Sequence, residues 1–302
     1  MNRKPDPKES REDAMDFTIA HDRARLARDV YKKPEYADRG TGDWEEVTNA
    51  AALGYPKHSS SFAASLYKRV DEKTGKEEYS IAYRGMTGVD DLDDAVIMAV
   101  IGFPKQFYDA YEFAQEVAET YGIDLSKTDF TGHSMGGYLA QAVGVACNAE
   151  NIWMFNSPAM RDKDMLAIPD KLAVVLGEDK APHEDDIDYT RLGERITAFR
   201  TQNDLVARLR KSHGAVLQGG FEKKPHSIAT MEKLLEDQAT GNAGEGSLFK
   251  RQEEPQETGR KMMSLFVETA RDLLARRRPQ NDNAPQNKPP RRNPRNNGPR
   301  RS

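Results

Sequence analysis

The residues best suited to chemistry are a serine and its flanking glycines in Gly132-His-Ser134-Met-Gly136. In this G-x-S-x-G pattern the serine lies on a sharp turn between a strand and a helix, and the glycines let those two elements approach closely. A serine that only caps the following helix is the structural alternative, but a cap needs no glycine on each side. The pattern therefore predicts that Ser134 is a nucleophile.

A serine hydroxyl needs a base to remove its proton and a carboxylate to orient that base, and after such a turn the acid precedes the histidine in the chain. Asp204 follows a predicted late strand, where parallel sheets place their ligands; Asp179 is its main rival. Two histidines follow Asp204, namely His213 and His226. We predict His226 as the base because it begins a loop after a further turn.

Backbone amides can complete such a site by binding the negative charge that develops on a carbonyl oxygen. A predicted strand ends in Tyr83-Arg-Gly-Met86, and a glycine directly after a strand can turn an amide toward a ligand. The N–H groups of Met86 and Met135 are therefore the predicted oxyanion donors. Arg84 is expected to form a structural ion pair rather than to contact substrate. The predicted mechanism calls for no metal and no cofactor.

Alternating strands and helices are predicted around these residues. An amphipathic helix begins near Ala14 and ends before Pro34, and a second one covers residues 105–121. A hairpin is predicted over residues 61–70 and 77–83. A strand at 127–131 and a buried helix at 138–146 lie on either side of Ser134. Two later strands are predicted at 151–156 and 195–200, and a helix begins at residue 228, after His226. Strand, helix, strand alternation predicts parallel strands.

The most apolar run in the chain is Ala95–Pro104, which follows the predicted oxyanion segment. It is too short to span a bilayer and too apolar for an exposed loop. It is expected to be either a buried strand or core helix, or a lid beside the site.

Charge divides the chain into an acidic body and a basic end. Residues 276–302 carry a net charge of +8, which leaves −12 for residues 1–275. We predict a disordered N-terminus at 1–13, one domain at 14–275 with a helix at each end, and a disordered tail rich in Pro, Asn and Arg at 276–302. The last of these helices is predicted near residues 262–273.

Location and redox state follow from what the sequence lacks. One cysteine, Cys147, excludes an internal disulfide and is expected to be a small buried thiol. No apolar signal segment begins the sequence. This predicts a cytoplasmic protein and leaves open export by a route that reads no such signal.

The basic tail suggests a partner. It contains no aromatic residue that could stack on bases, so sequence-specific nucleic-acid binding is not expected. Attraction to an anionic membrane surface is one interpretation, and a solvated tail without a partner is the other. The sequence does not predict an oligomeric state.

Several of these segments resemble those of class 3 lipases and related bacterial lipase-like or phospholipase-like proteins. The resemblance covers roughly residues 60–235 and is carried by Tyr83-Arg-Gly-Met86, Thr131-Gly-His-Ser-Met-Gly-Gly-Tyr-Leu-Ala140, Phe155-Asn-Ser-Pro158, Asn203-Asp-Leu-Val206 and Pro225-His-Ser-Ile228. One departure is Met86, which stands where those lipases usually have Thr or Ser.

The resemblance implies an α/β-hydrolase fold, with a mostly parallel central sheet and helices on both faces. It also implies a serine hydrolase acting on carboxylic esters, as a lipase or phospholipase whose partner is an ester or lipid substrate. A catalytically inactive binding module with this fold, a thioesterase, an acyltransferase and a peptidase remain the alternatives.

Overall fold

The computed structural model describes residues 15–59, 61–86, 103–208 and 210–252. Several predicted segments lie outside these residues: the N-terminus at 1–13, nearly all of the apolar run Ala95–Pro104, the helix near 262–273 and the basic tail at 276–302.

The described residues form one eight-stranded sheet whose strands lie in chain order. The strands are β1 Glu45–Asn49, β2 Ala64–Val70, β3 Glu77–Tyr83, β4 Asp129–His133, β5 Ile152–Phe155, β6 Ile196–Arg200, β7 Ala215–Gln218 and β8 Lys250–Arg251. Strands β1 to β3 are antiparallel, β3 to β7 are parallel, and β8 is antiparallel to β7. The carboxyl ends of five parallel strands therefore lie along one edge.

Helices cover both faces of the sheet. They are α1 Phe17–Asp29, α2 Gln106–Tyr121, α3 Met135–Ala146, α4 Asp162–Leu166, α5 Ile168–Leu176, α6 Leu192–Arg195 and α7 Ile228–Ala239. Crossovers between parallel strands are almost always right-handed, so successive crossovers that advance in one direction put their helices on one face. Residues of α2, α3 and α5 accordingly share one apolar core. The mostly parallel sheet with helices on both faces confirms the predicted α/β-hydrolase fold.

The opposite face is covered by α1 and α7, which come from the two ends of the described chain. Alanines 20, 24 and 27 of α1 pack with Ile228, Met231 and Leu235 of α7 in the second apolar core. Arg28 of α1 and Glu232 of α7 form a salt bridge of 3.0 Å in which the Arg28 side chain is fully buried. The pair fixes the register of the two helices, and α7 begins directly after the predicted base His226.

The predicted helices before Pro34 and over residues 105–121 are confirmed, as are the hairpin and the strands around Ser134. Three short strands are not evident in the sequence pattern: β1, β7 within a glycine-rich segment, and the two-residue β8. The apolar run Lys171–Gly177 belongs mostly to α5, where Val174 is 83% exposed. None of the helices in the described residues has both the length and the apolar character that crossing a bilayer requires.

Candidate active site

Ser134 lies at the turn between β4 and α3, with φ 57° and ψ −128°. These angles lie outside the regions that residues other than glycine usually occupy, at a cost of order 1–3 kcal/mol that the surrounding structure must offset. The amide of Ser134 donates to the carbonyl of Phe155 at the end of β5, with a distance of 3.0 Å. This hydrogen bond to the neighbouring strand holds the turn in place.

The residues around Ser134 must be glycines because neighbouring atoms lie too close to their Cα atoms to leave room for a side chain. A Cβ on Gly132 would lie 2.2 Å from the backbone carbon of Gly136, and a Cβ on Gly136 would lie 2.0 Å from the carbonyl oxygen of Tyr83. A Cβ on Gly137 would lie 2.5 Å from Cβ of Ser157. Helix α3 thus starts against the ends of β3, β4 and β5, which is the compact turn that the G-x-S-x-G pattern predicted.

Three predicted residues form one line of hydrogen bonds. His226 Nε2 lies 2.8 Å from Ser134 Oγ, and His226 Nδ1 lies 2.8 Å from Asp204 Oδ2. Because an ionised carboxylate only accepts, Nδ1 carries the proton and Nε2 presents a lone pair to the serine hydroxyl. The geometry is that of a nucleophile, a base and an orienting acid; their catalytic roles remain a prediction.

Asp204 is held by its own loop. Its Oδ1 accepts from the amides of Val206 at 2.8 Å and Ala207 at 3.2 Å, while its Oδ2 faces His226. Asp204 is 1% exposed and Ser134 is 3% exposed, whereas the His226 side chain keeps 18% of its surface exposed. The base is therefore the member of the line that solvent or a ligand can reach.

The loop that carries His226 is anchored by residues that the sequence reasoning did not identify. The carbonyl of Pro225 accepts from Asn156 Nδ2 at 2.7 Å and from Thr201 Oγ1 at 2.8 Å. Asn156 Oδ1 also accepts from the amide of Thr201, at 2.9 Å. The fully buried Asn156 thus connects the ends of β5 and β6 to the histidine loop. Its signal in the sequence is a polar residue directly after the apolar strand β5.

A second anchor of that loop is His133, within the elbow. His133 Nε2 lies 2.7 Å from the carbonyl oxygen of His226, and its Nδ1 lies 2.9 Å from the hydroxyl of Tyr31, just beyond α1. A carbonyl only accepts, so Nε2 carries the proton and Nδ1 accepts from Tyr31. Burial, and then the nearby His226, hold the pKa of His133 well below 6.5, so its ring stays neutral.

The predicted oxyanion segment lies against the nucleophile. A Cβ on Gly85 would lie 3.1 Å from Cβ of Ser134 and 2.5 Å from the Tyr31 hydroxyl. Burial raises the pKa of Tyr31 strongly, so its hydroxyl keeps its proton. Met86 follows Gly85, and Met135 supplies the first amide of α3, which has no acceptor within its own helix.

The rival residues lie elsewhere. His213 contacts Asp162, with 2.5 Å between Nε2 and Oδ1, and Asp179 lies beside Gly177 at the end of α5. Arg84 is half-buried and has no carboxylate partner among the described residues, so its expected ion pair stays a prediction. Burial raises the pKa of the Cys147 thiol to about 12, in keeping with an unreactive cysteine. In the described ranges no three His, Cys, Asp or Glu side chains group as a metal site requires.

Comparison with known proteins relates the chain to lipolytic enzymes. The model of a phospholipase-like family, the Tle-like phospholipase domain, matches residues 22–245. No curated protein sequence matches.

Several solved structures are similar to the chain, among them a lipase and a carboxylesterase. The extracellular lipase LipA from Serratia marcescens is 15% identical with a TM-score of 0.40, and the match covers 76% of this chain and 45% of the lipase. EstE1, a thermostable carboxylesterase cloned from a metagenomic library, is 12% identical with a TM-score of 0.30, over 89% of this chain and 97% of the esterase. The chain thus spans less than half the length of the Serratia lipase.

Proposed function

The chain belongs to the Tle-like phospholipase domain family, and from that premise we propose that it hydrolyses carboxylic esters of phospholipids with Ser134 as nucleophile. The observation that carries the proposal is the line of hydrogen bonds from Asp204 through His226 to Ser134. Ser134 lies on a strained turn at the carboxyl edge of the parallel strands, where sheets of this kind bind ligands.

In the first half of the reaction, Ser134 Oγ attacks the ester carbonyl carbon while His226 Nε2 takes the hydroxyl proton. The carbonyl oxygen gains negative charge, which the amides of Met86 and Met135 stabilise; one such donor is worth about 2.7–4 kcal/mol in comparable sites. His226 then gives its proton to the leaving alcohol oxygen. An acyl group remains bonded to Ser134 and the alcohol departs.

In the second half, water replaces the alcohol. His226 removes a proton from the water as it attacks the acyl carbon, and returns that proton to Ser134 Oγ when the fatty acid leaves. Asp204 stays ionised throughout and stabilises the imidazolium that forms in each half. The buried position of Asp204 keeps water from competing for its bond to Nδ1.

Tyr31 and His133 act as positioning residues in this proposal. Tyr31 packs against Gly85, beside the proposed oxyanion donors, and bonds to His133, which holds the carbonyl of His226. The oxyanion segment and the proposed base are therefore both linked to Tyr31, just beyond α1. Because neutral His133 donates at Nε2, its bond to the His226 carbonyl does not require His133 to bind a second proton.

The test is hydrolysis of p-nitrophenyl butyrate and of a vesicle phospholipid, with wild type and Ser134→Ala. We expect the variant to lose at least about 10⁴-fold in kcat/KM on both substrates. The control is Ser80→Ala, because Ser80 is equally buried on β3 and its hydroxyl makes no hydrogen bond with a described residue. Equal rates for wild type and Ser134→Ala would exclude the serine mechanism.

A fluorophosphonate probe separates the alternatives that share the fold. An activated serine reacts covalently, so wild type should label and Ser134→Ala should not. Absence of labelling above pH 7 would favour a binding module without catalysis. Labelling together with turnover of thioesters but not oxyesters would instead indicate a thioesterase.

A further inference from the structure

Two loops at the carboxyl edge of the sheet carry exposed apolar and basic side chains beside the proposed triad. One follows β6 and contains Asp204, Leu205 and Arg208; the other follows β7 and contains Phe221, Lys223, Lys224 and His226. Asn203 Nδ2 donates to the carbonyl of Glu222 at 2.7 Å, and Asn203 Oδ1 accepts from the Glu222 amide at 3.1 Å. The loops are thus fixed to each other, and we call Leu205, Arg208, Phe221, Lys223 and Lys224 the active-site rim.

The apolar members of the rim face water. Phe221 is 73% exposed and Leu205 is 37% exposed, although each lies next to residues that are held by hydrogen bonds. A single exposed apolar side chain needs no explanation. Here, however, the two lie on joined loops that also supply the acid and the base of the site.

The charge of the rim opposes the charge of the acidic body of the chain. Arg208, Lys223 and Lys224 give the rim a charge of +3, whereas residues 1–275 as a whole carry −12. Lys223 and Lys224 are exposed, and no carboxylate pairs with either lysine or with Arg208 within the described residues. Within residues 1–275, an anionic surface would therefore attract this edge and repel the acidic remainder, which orients the site toward that surface.

We propose that the active-site rim is the surface by which the chain docks on bilayers containing anionic phospholipid, with Phe221 inserted at the interface and the lysines among the headgroups. An aromatic ring beside long basic side chains suits the boundary between headgroups and acyl chains. An acidic protein partner would use the lysines but would leave the exposed phenylalanine without a purpose. Docking here rests on the proposed function, because it presents the ester bonds of lipids to His226 and Ser134.

The experiment measures co-flotation of the full chain with vesicles of phosphatidylcholine alone or with 30% phosphatidylglycerol, in a Ser134→Ala background that leaves the lipid intact. Phe221→Ser should lower partitioning onto anionic vesicles about tenfold. The double change Lys223→Glu with Lys224→Glu should lower it about 30-fold or more, at about 1 kcal/mol for each basic residue lost. Added salt should weaken binding of the parent more than binding of the double variant.

The matched control is Val174→Ser, since Val174 is 83% exposed on α5, away from the rim. It should bind as the parent does, and the basic tail is present in every variant, so its contribution is constant. The proposal would be overturned if Phe221→Ser or the double variant partitioned onto vesicles as the parent does, or if the parent bound neutral and anionic vesicles equally. The same result is expected if the rim binds an acidic protein and not lipid.

Activity distinguishes this inference from the proposed function. With Ser134 restored, Phe221→Ser should hydrolyse p-nitrophenyl butyrate at the wild-type rate and vesicle lipid more slowly. A protein that binds vesicles through the rim but hydrolyses neither substrate would refute the proposed function alone. A protein that hydrolyses both at the wild-type rate with an altered rim would refute the docking surface alone.

Discussion

Tyr31→Phe removes one hydroxyl from the network behind the proposed site and leaves the side-chain volume nearly unchanged. His133 Nδ1 would lose its donor at 2.9 Å. No other described residue bonds to Nδ1. A buried polar group left without a partner costs about 1–3 kcal/mol, so we expect the free energy of unfolding to fall by about that amount.

Part of this loss should appear in catalysis. His133 holds the carbonyl of His226, so a loosened imidazole lets the base drift from Ser134 Oγ. If about 1.4 kcal/mol of transition-state stabilisation is lost in this way, kcat falls about tenfold. KM for a short soluble ester should change less than twofold, because Tyr31 lies behind the proposed site.

The assay compares kcat, KM and the melting temperature of wild type, Tyr31→Phe and Tyr111→Phe at pH 8. Tyr111 is the matched control: it is buried, Tyr31 is half-buried, and the Tyr111 hydroxyl makes one hydrogen bond, of 3.2 Å, to the carbonyl of Lys180. His133→Gln, whose amide can donate to the His226 carbonyl, should keep more activity than His133→Ala. If Tyr31→Phe lowers the melting temperature as Tyr111→Phe does and leaves kcat intact, the network is structural only and the reasoning fails.

Four further outcomes are expected. Asp204→Asn should lower kcat by about 10⁴-fold while the melting temperature changes little, since the wrong histidine tautomer is then favoured. Gly136→Ala should destabilise the fold severely, because its Cβ would lie 2.0 Å from the Tyr83 carbonyl oxygen, whereas Gly244→Ala, with nothing within 4 Å, should melt as wild type does. Glu232→Ala should cost about 3–5 kcal/mol of stability by leaving Arg28 buried without its partner. Burial lowers the pKa of His133, so as the pH falls below 6.5 the unfolded chain takes up a proton at this residue that the folded chain does not, and the free energy of unfolding decreases. Thermal melts of His133→Gln between pH 7.5 and 5.5 should lack this part of the decrease.

Much of the fold can be predicted from local pattern. Helices α1 and α2 carry apolar residues at regular spacing, and the elbow is marked by three glycines that only close approach explains. The short strands are different. Strand β7 has four residues inside a glycine-rich segment and β8 has two. Neither strand is long enough to show the alternation of apolar and polar residues that marks a strand in a sequence. Their pairing depends on the neighbouring strand.

The candidate site divides in the same way. Ser134, Asp204 and His226 could be chosen from chain order and from their positions after strands, and the structure brings them within hydrogen-bond distance, while their catalytic role awaits measurement. Tyr31 could not be chosen, and Asn156 is marked only by its place directly after the apolar strand β5. Their importance lies in contacts with His133 and Pro225, which are far away in the sequence, and a local pattern does not reveal the partner of such a contact.

Helix α1 is synthesised before the other described elements but packs against α7, about 200 residues later in the chain. Its buried Arg28 forms its salt bridge only after Glu232 has been synthesised. Pairings so distant in sequence form late, because the intervening chain must be ordered first. A nascent chain that has reached only the end of β6 already contains Ser134 but lacks both His226 and the helix that fixes the loop before it. An incomplete chain of this kind therefore contains the proposed nucleophile without the proposed base, and we expect it to be inactive.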